Sequence, residues 1–274
     1  MNVRYDFSDR VVIVTGAARG VGREIVHQFA AAGASVLATD RDRPGLEESC
    51  RDLPGHVKAV VGDVRDEDEC TKIVRAATET FGRLDICVNN AAVAPHASLM
   101  DERVEVWDTV YAVNCRGTFL MTRAAARPMI SQGHGGRIIN FSSGVSSRGS
   151  AGAAAYASSR AATESFTRVA AIELAPYEIL VNCVSPGLID TQPKPLPPTM
   201  AQSLSARIPE LPLARPGLAE EVAQLVLWLS SDGSSYVTGA LYTVDGGSGV
   251  GSRPPGAVVD DDVRYDWVTG RSRV

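Results

Sequence analysis

Val11-Val12-Ile13-Val14-Thr15-Gly16-Ala17-Ala18-Arg19-Gly20-Val21-Gly22 is the stretch that decides the fold. Val11 to Thr15 is an unbroken β-branched run, the composition of a strand buried on both faces. A glycine-rich turn follows. Its three glycines let the backbone come close to a pyrophosphate, and the helix behind them offers free N–H groups and the positive end of its dipole. The spacing is Gly-x-x-x-Gly-x-Gly, which departs from the Gly-x-Gly-x-x-Gly fingerprint. Its place between a strand and a helix is what makes it a dinucleotide-binding candidate.

The same rhythm continues outward. Ser35–Thr39, Val57–Val61, Leu84–Val88, Arg137–Phe141, Leu180–Val184 and Leu241–Val244 are short apolar strand candidates. Helix-length segments lie between them: Glu24–Ala32, Glu67–Phe81, Val104–Ile130, Ala154–Leu174 and Glu220–Leu229. Strands alternating with helices predict an α/β fold, a single-domain, doubly wound, Rossmann-type and mostly parallel seven-stranded sheet covered on both faces. The expected division is an oxidoreductase domain over residues 1–247 and a C-terminal tail over 248–274. Residues 191–216 are proline-rich and irregular, as a substrate loop would be. In the tail, Tyr265 and Trp267 are apolar anchors in a polar extension, so docking near the active site is expected.

Bulk properties exclude other classes. The formal net charge is −5, and the arginines are scattered, which gives no footprint for nucleic acid. No stretch is apolar for long enough to span a bilayer, and the polar start lacks the h-region of a signal peptide. The five cysteines (50, 70, 87, 115 and 183) are dispersed without a CxxC pair, so they read as buried free thiols in a reducing, cytoplasmic setting. His27, His56, His96 and His134 are not at metal-ligand spacing, and no metal is expected. Trp107 and Trp228 read as packing or interface residues.

Asp40 ends the second strand, where a carboxylate accepts from the 2′- and 3′-hydroxyls of an adenosine ribose and repels a 2′-phosphate. Arg19 and Arg41 argue the other way, because a guanidinium pairs with that phosphate. Tyr156 and Arg160 share a helix face. A fixed cation one turn away favours the phenolate. Ser143 follows the fifth strand, at the carboxyl edge where ligands bind in open α/β sheets.

These pieces, in this order, resemble the short-chain dehydrogenase/reductase family. They are Thr15 to Gly22, Gly62-Asp63-Val64, Asn89-Asn90-Ala91-Ala92, Asn114, Ser142-Ser143, Tyr156-Ala-Ser-Ser-Arg160, Ser185-Pro186-Gly187, Thr191 and Val244-Asp245-Gly246-Gly247. The resemblance runs from about Asp9 to Gly247. It implies that Gly16, Arg19, Gly20, Val21 and Gly22 hold the pyrophosphate and that Asp40, with Arg41 beside it, meets the adenosine ribose. Asp63 and Val64 would meet the adenine, and Asn89, Asn90 and Ala91 would line the cleft. Pro186, Gly187, Ile189 and Thr191 would cradle the nicotinamide. Ser143 would hold the substrate oxygen, Asn114 would anchor a water, and Tyr156 would be the acid/base, with Arg160 binding cofactor beside it. Two positions depart from the family pattern: Ala92 stands where glycine is usual, and Arg160 where lysine is usual. Arginine supplies a permanent charge and several donors but is a poor proton carrier.

The reading implied is an NAD-dependent oxidoreductase acting on a secondary alcohol or ketone, on a hydrophobic or bulky small molecule. A homodimer or homotetramer paired through the two long helices is expected. The alternatives are an NADPH-dependent ketoreductase and a non-catalytic NAD(P)-binding sensor or scaffold.

Overall fold

The computed structural model describes residues 4–53, 56–191 and 207–252, single helical residues at 198, 202 and 205, and two short strands, Tyr265–Asp266 and Arg271–Ser272. Residues 192–197, 199–201, 203–204 and 206 of the expected substrate loop lie outside the described residues, as do most of the tail and Trp267.

Seven strands form one sheet: β1 (Val11–Thr15), β2 (Ser35–Asp40), β3 (Val57–Val61), β4 (Ile86–Asn89), β5 (Gly136–Phe141), β6 (Ile179–Pro186) and β9 (Leu241–Val244). Their order is β3-β2-β1-β4-β5-β6-β9, and every pairing is parallel. A two-stranded ribbon, β7 (Ile189–Asp190) and β8 (Gly217–Leu218), brackets residues 191–216. The doubly wound, Rossmann-type sheet expected from the strand–helix alternation is the one observed. The chain winds outward through β2 and β3 on one side of β1, then reverses at β4. Between β1 and β4 lies the switch point, where open α/β sheets leave a crevice at the strands' carboxyl ends.

Alternation along the strands builds two cores. Val12, Val14, Val36, Ala38, Val88 and Phe141 face α1 (Gly20–Ala31) and α8 (Ala219–Ser230). Val11, Ile13, Leu37, Cys87 and Ile138 face α3 (Glu67–Phe81), α5 (Thr118–Gln132) and α7 (Ala154–Leu174). Local signals agree. Asp66 caps α3 by accepting from Glu69 N at 3.0 Å, and Gly82 ends it in the left-handed region. α1 starts at Gly20, earlier than the expected Glu24, so two glycines of the turn belong to its first helical turn. A short α2 (Arg43–Ser49), capped by Asp42, follows β2.

The segment 104–130, expected as one helix, is broken. α4 (Val104–Tyr111) passes into a π-helical turn, Ala112–Gly117, before α5 begins. Single π turns often mark functional positions. Here the turn presents the Asn114 side chain to the backbone of Val93, accepting from its N–H at 2.9 Å and donating to its carbonyl at 3.0 Å.

A carboxylate closes the amino edge of the sheet. Asp85 is 6% exposed, accepts from Val11 N at 2.8 Å, and is gripped by Arg83 Nε at 2.9 and 3.1 Å. Asp85→Ala leaves the Val11 N–H without its charged acceptor and should destabilise the protein by about 2 kcal/mol, in the range for a lost hydrogen bond to a charged group. A urea midpoint unchanged from wild type would show that water replaces the carboxylate at no cost.

Candidate active site

The glycine turn is held from two sides. Asn90 Nδ2 donates to the carbonyls of Thr15 at 2.9 Å and Gly16 at 3.1 Å. Thr15 Oγ1 accepts from Ala91 N at 3.1 Å. Gly16 has φ of +67°, and a methyl group on it would lie 2.8 Å from Ala91 Cα. On Gly22 a methyl would lie 2.1 Å from the Gly16 carbonyl oxygen. Only glycine allows this approach of turn and helix. Arg19 at the helix N-cap contributes no side-chain acceptor, so the first-turn donors are left for a ligand.

The resulting cleft has a volume of about 490 Å³. It collects residues from four strand ends: Gly16, Arg19, Val21 and Gly22 after β1, Asp40 and Arg41 after β2, Asp63 and Val64 after β3, Asn90 and Ala91 after β4. Asp40 is half-buried, its carboxylate oriented by Ala18 N at 3.1 Å and Asp42 N at 3.0 Å. Arg19 and Arg41 are exposed, and neither makes an ion pair or hydrogen bond among the described residues. The Asp63 carboxylate is engaged by Arg65 Nε at 2.9 and 3.0 Å. That hydrogen bond, foremost, holds Asp63 below the usual carboxylate range against the opposing effect of burial. Gly20 lies under Thr191, whose Cβ is 3.4 Å from where a Gly20 methyl would be. Ile189, expected beside the cofactor, is half-buried and packs against the core under α1 and α8.

A second cavity, of about 220 Å³, opens beside Ser143. Pro186, Gly187 and Leu188 wall one side, with Arg148, Arg207, Glu210, Leu211 and the start of the tail at Ser248, Gly251 and Ser252. Arg148 donates through Nη1 to the Ser248 carbonyl. The tail's first residues therefore do reach the region of Ser143.

α7 carries Tyr156 and Arg160. Tyr156 is half-buried, with Arg160 Cζ 5.2 Å from its ring centroid. Burial raises the phenol's pKa. The charge of Arg160, a hydrogen bond shared with Ser143 and another received from Arg160 together outweigh it, and the net shift is downward. Arg160 is 3% exposed. Its Nη1 donates to the Phe141 carbonyl at 2.7 Å, and its Nε has no partner among the described residues. Desolvating a lone guanidinium is costly, and the phenolate of Tyr156 is the anion available to offset that.

The Asn114 side chain bonds Val93 and donates to Ser159 Oγ at 3.1 Å, while its carbonyl accepts from Thr118 Oγ1 at 2.8 Å and Thr163 Oγ1 at 3.2 Å. Asn89 donates to Asn140 at 2.9 Å across β4 and β5. Asn140, Arg148 and Glu164 escaped the sequence reading. Arg148 carries no motif. Glu164, one turn beyond Arg160, accepts from Ser142 and Ser146. The i, i+4 spacing of Tyr156, Arg160 and Glu164 was the available signal for the last.

Burial pushes the thiols of Cys70, Cys87 and Cys183 up to about 12, so they are inert as nucleophiles. Among the described residues no cluster of three or more His, Cys, Asp or Glu is placed to hold a metal, and no helix is long and apolar enough to cross a membrane.

This fold and site define an oxidoreductase class, and comparison with known proteins agrees. A family model described as Enoyl-(Acyl carrier protein) reductase matches residues 16–249. The chain is 40% identical over 242 residues to the 3-oxoacyl-(acyl-carrier-protein) reductase FabG of Thermotoga maritima, covering 87% of this chain and 97% of that one. It is 36% identical over 238 residues to the L-xylulose reductase of Bos taurus, covering 87% and 96%. A crystal structure of a putative short-chain alcohol dehydrogenase from Sinorhizobium meliloti 1021 superposes with a TM-score of 0.84 at 34% identity, covering 90% of this chain and 98% of that one. The chain belongs to the short-chain dehydrogenase/reductase family, oxidoreductases that bind a nicotinamide cofactor and act on CH–OH or keto groups.

Gly22→Ala forces the helix start away from the turn. NADH affinity should fall at least about tenfold, equivalent to 1.4 kcal/mol, in a tryptophan-fluorescence titration. Wild-type affinity would show that the turn does not hold the cofactor.

Proposed function

We propose that the chain is an NAD-linked dehydrogenase interconverting a secondary alcohol and its ketone. Tyr156 is the acid/base, Ser143 holds the substrate oxygen, and Arg160 is the fixed cation that keeps Tyr156 acidic. The observation that carries this is a phenol with lowered proton affinity beside a serine at the mouth of a cavity. In oxidation the Tyr156 phenolate removes the hydroxyl proton, and in reduction the phenol returns it to the ketone oxygen. Ser143 donates to that oxygen in both directions. Bound nicotinamide supplies the hydride acceptor or donor. Arg160 is a permanent cation, so it acts by charge and not by relay.

The cradle suits a dinucleotide. The first turn of α1 would meet the pyrophosphate. Asp40, already oriented by two backbone N–H groups, would take the ribose hydroxyls. Asp63 and Val64 would border the adenine, with the Asp63 carboxylate held by Arg65 and its backbone N–H by Glu69 Oε2 at 2.6 Å. Pro186, Gly187 and Thr191 would border the nicotinamide, with Asn114 holding the loop after β4 at Val93. A second reading, NADPH-dependent ketone reduction, is favoured by the free guanidiniums of Arg19 and Arg41 and by similarity to two reductases.

The substrate is a small molecule. The cavity wall joins Val145, Leu188 and Leu211 to Arg148, Arg207 and Glu210, which fits a bulky apolar body with a polar or charged end. Exposed Trp107, Phe119, Val169 and Ile172 on α4, α5 and α7 are the apolar surface through which a homodimer or homotetramer would pair. Five free thiols suit a cytoplasmic setting. The division into residues 1–247 and a tail over 248–274 is retained.

Two measurements test the reading. Asp40→Ala should narrow a preference for NADH over NADPH by about tenfold; a wild type that already prefers NADPH selects the second reading. Turnover is then sought on paired neutral and carboxylate-bearing secondary alcohols. Tyr156→Phe should reduce it by roughly 10²–10⁴ with NADH binding retained. Oxidation needs the phenolate, so its rate rises with pH and levels off above the Tyr156 pKa. Arg160→Met raises that pKa and should move the rise to higher pH. A profile identical to wild type would exclude Arg160 from the chemistry, and tight NADH binding without any turnover would identify a sensor.

A further inference from the structure

Ser143 is held in a five-residue loop whose ends converge on one oxygen. Ser142 Oγ donates to Glu164 Oε1 at 2.5 Å, and Ser146 Oγ meets the same oxygen. Ser146 Oγ also lies 2.8 Å from the Ser143 carbonyl. On the other side the loop backbone is tied to β6, Ser142 N donating to Val184 O at 2.7 Å and Gly144 N to Pro186 O at 3.3 Å. Ser142 is 3% exposed and Glu164 half-buried.

Two anchors therefore fix the loop, and they answer different needs. The backbone bonds set its height above the sheet. The Glu164 carboxylate sets its position relative to α7, the helix that carries Tyr156 and Arg160 eight and four residues before Glu164. An ionised carboxylate accepts several hydrogen bonds at once, and charge-assisted bonds are roughly twice as strong as neutral ones. One side chain thus brackets Ser143 on both sides and refers it to the frame of the acid/base. Reacting groups lose much of their effect when displaced by about 1 Å, and α6 (Val145–Arg148) is too short to hold the loop by itself.

We propose that Glu164 is a positioning residue that registers Ser143 against Tyr156 by clamping the hydroxyls of Ser142 and Ser146. It touches neither substrate nor cofactor. The inference rests on the roles of Ser143 and Tyr156 given under Proposed function.

The test is a double-mutant cycle on the full chain, with the best-turned-over alcohol of the panel above. Glu164→Leu should lower kcat by about tenfold or more, with the NADH dissociation constant within about twofold of wild type. Glu164→Gln should restore most of the loss, because its amide oxygen still accepts from both serines. In a Ser143→Ala background Glu164→Leu should change kcat by less than about twofold, since the residue to be positioned is gone. If the leucine variant does not fold, Ser146→Ala carries the same cycle, costing several-fold in wild type and nothing without Ser143. Equal losses in both backgrounds, or a glutamine variant as poor as leucine with a matching fall in Tm, would overturn the proposal and leave Glu164 a stabilising residue only. Wild-type turnover in Ser143→Ala alone would overturn the underlying role of Ser143, and the proposal with it; that arm separates the two failures. A panel with no turnover at all would overturn both.

Discussion

Each strand of the sheet runs the same way because each is returned to the start by a helix crossing one face. Right-handed crossovers enforce that direction, and its consequence is that every carboxyl end lies on one edge. The glycine turn, Asp40, Asp63, Asn90, Ser143 and Pro186 are scattered over the sequence, yet all follow a strand and so arrive together. Reversal of winding between β1 and β4 opens the crevice among them. The cleft is therefore a product of backbone direction before it is a product of any side chain.

Within that frame the decisive electrostatic feature is a buried cation without a carboxylate partner among the described residues. Arg160 donates to a backbone carbonyl, which orients the guanidinium but does not neutralise it. Against its own burial, the phenol is drawn toward phenolate by the Arg160 charge and by hydrogen bonds with Ser143 and Arg160. Lysine could serve the same end with a smaller, mobile charge. Arginine's planar fork holds one geometry and keeps its proton.

Polar order under the site follows the same economy. The buried Asn89–Asn140 pair extends to Thr122 at 2.9 Å and Thr167 at 3.0 Å, so adjacent strand ends are locked to α5 and α7. Asn114 ties the π turn to Val93 and to α7 through Ser159. Networks of this kind are stable only when every member is satisfied. They leave the strand ends rigid and the loops beyond them free to vary.

The β-branched runs, the glycine turn and the order of the family's motifs were enough to determine the strand count, the parallel sheet and the residues grouped at its edge. These signals are local or periodic, and chain order carries them. The Tyr156–Arg160 pair was legible for the same reason, since helical spacing puts residues four apart on one face. What the tertiary structure decided depends on distance across the fold. The Asn114 side chain, carried on the π turn, bonds the backbone of Val93, which lies 21 residues earlier in the chain, and no local propensity announces it. Arg65 claims the Asp63 carboxylate only because their side chains are folded toward each other at the end of β3. Glu164 looks like any helix-surface acid in the sequence; its role appears only when α7 is packed beside β5, because two serine hydroxyls and a carboxylate converge through packing and not through chain order.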